Sequence, residues 1–122
     1  MTEQDVIAAL QAAGFCGIEA EGGRIYARVA PQAPEFRAEP LAEPLGDGWQ
    51  LVLPWNVTPP AEAMEIWNRR MGEARMELLQ GEARLVMPLP GREVLPRWAA
   101  LAGEAEAHFI AWRRGRRDVE GM

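Results

Sequence analysis

Lysine is absent from this sequence, and cysteine and histidine occur once each. No apolar run approaches the ~18 residues that a membrane-spanning helix needs. Each scarcity excludes something. The lone cysteine, Cys16, cannot close an internal disulfide, which fits a reducing, cytoplasmic setting. Together with His108 it falls short of a zinc site, which takes at least about three protein ligands. The pair also makes poor nucleophilic machinery. Cys16 follows Phe15 at a helix-to-hairpin junction, whereas His108 lies far along the chain on the flank of a helix. The expectation is a buried or half-buried structural cysteine and a surface or packing histidine. All 13 basic residues are arginine, which reads as compositional bias of a GC-rich genome rather than a recognition device. The start, Met1-Thr2-Glu3-Gln4-Asp5, is acidic where a secretory signal would be basic.

What is present suits one soluble domain. The chain has 122 residues, 48% of them hydrophobic and five of them tryptophan, enough for a core without staples. A net charge of −5 argues against general nucleic-acid binding, where phosphate neutralisation dominates. The 18 acidic residues are scattered over polar faces. Neither Glu62 with Glu65 nor Glu104 with Glu106 is arranged as a catalytic dyad, so these read as solvated faces. There is no glycine-rich phosphate fingerprint, and Gly22-Gly23 is better explained as a turn. The expectation is no enzyme, no metal and no cofactor.

Local signals then lay out the chain. Thr2 caps a first helix, with Asp5 three positions on in a near-capping-box arrangement. Val6, Ala9, Leu10 and Ala13 recur at helical spacing before Gly14 stops it. Ile18 and Ala20 alternate with Glu19 and Glu21, Gly22-Gly23 turns, and residues 24–29 alternate again: a hairpin. Residues 30–48 carry Pro31, Pro34, Pro40 and Pro44, so a central strand is not expected there. At most a short edge strand runs around Phe36-Arg37-Ala38-Glu39. Trp49, Leu51, Leu53 and Trp55 point to one face of a strand, with Gln50 and Val52 on the other. Thr58-Pro59 is a cap-plus-first-turn signal for a helix that carries Met64, Trp67 and Met71 on one stripe and ends at Gly72. Arg75 to Leu78 alternates, Gln80-Gly81 turns, and Ala83, Leu85, Met87 and Leu89 alternate on the return. The four residues Gly-Glu-Ala-Arg occur twice, at 72–75 and 81–84, yet the first ends a helix and the second starts a strand. The echo is coincidence rather than a repeat. A last helix begins near Leu95, with Pro96 in its first turn, and carries Trp98, Leu101, Ala102, Ala105, Phe109 and Trp112 on one stripe. Residues 1–113 thus read as one α+β domain and 114–122 as a charged, frayed tail. The expected architecture is a twisted antiparallel sheet of about five strands with helices packed on it, in the order α-β-β-β-α-β-β-α.

This order, and the wording of its second half, resembles the YbjN-like family, whose fold is that of the type III secretion chaperones. The residues that carry the resemblance are Trp67-Asn68-Arg69-Arg70 closing a helix, Ala74-Arg75-Met76, and Gly81 to Met87 as a hairpin return. A final helix ending in an aromatic, Phe109 or Trp112, completes the pattern. It covers residues 60–113 and departs from the family over 30–48. The resemblance implies a non-catalytic, homodimeric domain that holds an extended segment of another polypeptide on hydrophobic patches and exposed strand edges. Trp49, Trp55, Trp67 and Trp98 sit on inward faces and are expected in the core. The expected dimer or client surface is the helix at 59–71, through Met64, Ile66, Trp67 and Met71, because Ile66 widens its apolar arc. The alternative is a small regulatory domain that binds a ligand, an acidic partner or nucleic acid through Arg113, Arg114, Arg116 and Arg117. Cations in a last helical turn also suit the helix dipole.

Overall fold

The fold follows from three apolar helix stripes and one apolar sheet face. The structure, a computed structural model, describes residues 1–41 and 48–120, and of residues 116–120 the backbone alone. The elements are α1 (Glu3–Ala12), β1 (Cys16–Glu21), β2 (Arg24–Arg28), β3 (Glu35–Pro40), β4 (Trp49–Trp55), α2 (Ala61–Arg70), β5 (Arg75–Leu79), β6 (Glu82–Leu89) and α3 (Leu95–Glu120), the last preceded by a 3-10 turn at Arg92–Val94. The class is α+β, as expected. The sheet has six strands rather than about five, all antiparallel, in the order β1-β2-β3-β4-β6-β5.

The additional strand is β3, and it corrects the reading of the proline-rich stretch. Phe36 and Ala38 are buried in its middle, and it is an inner strand paired with β2 on one side and β4 on the other. Pro31 and Pro34 precede it and Pro40 ends it, so no proline interrupts its interior. Two prolines do lie inside central strands. Pro54 in β4 stands beyond the last β3 pair, Arg37 with Val52. Pro88 in β6 stands beyond the last β5 pair, Arg75 with Val86. Each therefore falls where the neighbouring ladder has already ended, which is where a missing N–H is tolerated. Residues 42–47, which include Pro44, lie outside the described residues.

Both hairpins turn as their residues dictate. Gly22 and Gly23 have φ of 61° and 80°, and Gln80 and Gly81 have φ of 53° and 84°. Two successive positive φ values are the turn that matches the twist of antiparallel strands. At α1 the capping box forms in full: Asp5 N–H donates to Thr2 Oγ1 at 3.1 Å, and Thr2 N–H donates to Asp5 Oδ2 at 2.8 Å. The Thr58 cap does not form. Helix α2 begins at Ala61 after Pro60, and the Thr58 hydroxyl instead donates to the Gly81 carbonyl at 3.2 Å, tying the helix start to the β5–β6 turn.

All three helices pack on one sheet face. Val6 and Leu10 of α1, Trp67 of α2, and Trp98, Leu101, Ala105 and Phe109 of α3 meet Ile25, Phe36, Leu51, Leu53, Leu85 and Met87 in one core. Phe36 contacts both Phe15 and Trp98 edge-on, with ring centroids 5.5 Å apart in each case. Trp49, Trp67 and Trp98 are buried as expected, while Trp55 is half-buried. Val52, on the opposite face, is fully buried between Arg37 and Val86 of the neighbouring strands. The backbone of α3 continues to Glu120, through much of the segment that the sequence reads as a tail.

Candidate functional site

Helix α2 lies beside the outer strand β5, and two adjacent side chains fasten it there. Trp67 Nε1 donates to the Ala74 carbonyl at 3.1 Å. Asn68 Nδ2 donates to the Met76 carbonyl at 3.0 Å, while its Oδ1 accepts from Met76 N–H at 2.7 Å. These are the two bonds a neighbouring strand would make, so at Met76 the edge of β5 is closed by its own helix. The other edge, β1, has a register irregularity between Cys16 and Glu19, Gly17 at φ 63°, and Glu19 and Glu21 along it. Bulges and charges of this kind make an edge a poor template for a further strand. At Met76 the β5 edge is thus taken by α2, while farther along β5 Leu78 and Leu79 are exposed.

Helix α2 also faces α3, through Trp67 and His108. Ala63, Ile66, Trp67, Arg70 and Met71 of the α2 segment and His108 and Trp112 of α3 line an apolar groove of about 200 Å³. An aromatic chain starts among its lining residues and runs on to Phe109 and Trp55. Trp67 meets His108 edge-on at 5.6 Å, and His108 stacks on Trp112 at 5.7 Å. Trp112 meets Phe109 at 5.6 Å, and Phe109 stacks on Trp55 at 5.5 Å. Arg113 closes the series, its guanidinium 5.4 Å from the Trp55 ring centre and its Nη2 donating to the Asn56 carbonyl at 3.3 Å.

Three of the four residues singled out on α2 come together here. Ile66 is 46% exposed at the groove, Trp67 is its buried floor, and Met71 lines it half-buried. Met64 does not join them; it packs half-buried against the core. Reading α2 alone missed His108 and Trp112. Their signal was present, since residues four apart share one helix face, but Trp112 reads as core and a single histidine as incidental. Of the basic patch, Arg113 is exposed and engaged by Trp55 and Asn56, Arg114 is exposed, and the side chains of Arg116 and Arg117 lie outside the described residues. Cys16 is half-buried, its thiol 3.7 Å from the Arg28 carbonyl. Among the described residues, no three His, Cys, Asp or Glu side chains gather as a metal would require. None of the helices described is long and apolar enough to cross a membrane.

On the sheet face away from the helices, Glu39 accepts from Arg37 at 2.9 Å and from Gln50 at 3.0 Å, with Arg24 at 3.3 Å. Burial pushes the Glu39 carboxyl upward, but the hydrogen bonds from Arg37 and Gln50 and the charges of Arg37 and Arg24 outweigh it, so its pKa lies below the ordinary value. In the groove, Arg70 is the one side chain of fixed charge, and none of the ion pairs among the described residues involves it. Comparison with protein-family models, curated proteins and solved structures gives no match to this chain.

Proposed function

We propose that the chain is a non-catalytic, chaperone-like interaction module that acts as a homodimer in the cytoplasm and holds a segment of another polypeptide. The observation that carries this reading is the α2–α3 groove, where an exposed isoleucine stands beside a tryptophan floor. Large exposed apolar side chains grouped in a concavity are the usual mark of a protein-binding surface. The thioether of Met71 and the stacked rings of His108 and Trp112 supply contacts that adapt to more than one partner. The helix-then-hairpin unit, with β6 laid between β4 and β5, supports the type III secretion chaperone-like fold that the YbjN-like resemblance implies. Because Asn68 takes the β5 edge at Met76, this groove is favoured over strand addition there.

The test is capture of polypeptides by the intact chain from its host lysate. Recovery of defined partners, lost on Ile66→Asp while circular dichroism is unchanged, supports the reading. Recovery no greater than a bare-resin control contradicts it.

A further inference from the structure

The groove between α2 and α3 is apolar except at two side chains, Arg70 and His108. Neither takes part in a side-chain hydrogen bond among the described residues. Neither forms an ion pair there, whereas Arg24, Arg37, Arg84 and Arg97 each pair with a glutamate. None of the groove's lining residues is acidic, although the chain has 18 acidic residues against 13 basic ones. A cation in the last turn of α2 suits the helix dipole. Arg69 meets that need equally while standing off the groove, so the dipole does not explain why Arg70 lines it.

Size narrows the occupant further. At about 200 Å³ the groove falls below the ~300–1,000 Å³ of pockets that enclose drug-sized molecules. It has room for one bulky apolar side chain of a segment lying across it. Such a side chain rests on Ile66, Trp67 and Trp112, and the segment's flanking groups then meet Arg70. A cationic flank meets like charge, and a neutral flank leaves the guanidinium to water. A carboxylate flank forms a charge-assisted hydrogen bond, the strongest kind available to arginine.

We infer that the segment held in the groove is acidic, with a bulky apolar side chain seated against Trp67 and Trp112 and a neighbouring carboxylate bound by Arg70. This rests on the polypeptide-binding part of the proposed function and specifies the chemistry of the partner. The test uses two probes of similar shape and opposite charge, phenylbutyrate and phenylbutylamine. Each is titrated into the intact chain and followed by the NMR signals of Ile66, Trp67 and Trp112. The carboxylate should bind about tenfold more tightly than the amine. Arg70→Gln should bring the two together, and Arg70→Glu should reverse their order. Arg70 is exposed, so both variants should keep the parent's amide spectrum away from the groove. Equal binding of the two probes by the parent, an order that survives in Arg70→Glu, or no shift from either probe overturns the acidic selectivity. Capture from host lysate separates that failure from failure of the underlying reading. Partners recovered by the parent, lost with Ile66→Asp and retained by Arg70→Glu overturn the selectivity alone. Recovery no greater than from bare resin overturns both.

Discussion

The side-chain amide of Asn68 gives Met76 the two hydrogen bonds that a neighbouring strand would otherwise supply, and its removal leaves both backbone groups facing a helix. Leaving a part-buried donor and acceptor unpaired costs about 1–3 kcal/mol. Asn68→Ala should lower stability by that amount, read as a shift in the urea midpoint, and an unchanged midpoint would contradict the edge-closing role. The tryptophans offer a matched comparison. Trp67 Nε1 is bonded to Ala74, whereas the buried Nε1 of Trp98 has no partner among the described residues. Replacing either by Phe removes the same volume, but Trp67→Phe also loses a bond worth about 0.5–1.5 kcal/mol. Trp67→Phe should therefore be the more destabilising in chemical denaturation; the reverse order would count against the bond. Such single-residue roles are hard to read from sequence. Asn68 is one polar residue among several on a helix, and nothing local reveals which strand it will face. The capping box of Thr2 and Asp5 is legible because both partners lie within one turn.

At the level of elements, local chemistry and burial decide most of the outcome. The glycine pairs and the alternating runs name both hairpins, and the stripe from Trp98 to Phe109 names α3. The strand β3 was underestimated because prolines at 31, 34 and 40 resemble interruptions, yet they bracket the strand rather than cut it. Helix α2 starts later than Thr58-Pro59 suggests because the Thr58 hydroxyl is taken by the β5–β6 turn. On the outer sheet face, β2, β3 and β4 bring Arg24, Arg37 and Gln50 around Glu39. A carboxyl with its pKa lowered in the fold contributes stability that is present above its ordinary value of 4.5 and lost as pH falls through the lowered value. Urea midpoints measured downward from neutral pH should therefore fall less steeply in Glu39→Gln than in the parent. Parallel pH profiles would show that the cluster contributes nothing.

For the whole molecule, the decisive feature is long-range: β6 enters between β4 and β5, with α2 carrying the chain out to the edge first. Periodicity identifies the strands but not their neighbours, so the α+β class was legible and the strand order was not. The groove lay half in view for the same reason. Ile66, Trp67 and Met71 stand out on α2, but His108 and Trp112 join them only because α3 crosses alongside. The proposed function requires two copies of the chain to associate. Light scattering on the intact protein at tens of micromolar tests it directly. A homodimer gives twice the 13.5 kDa chain mass. A mass of 13.5 kDa would contradict it.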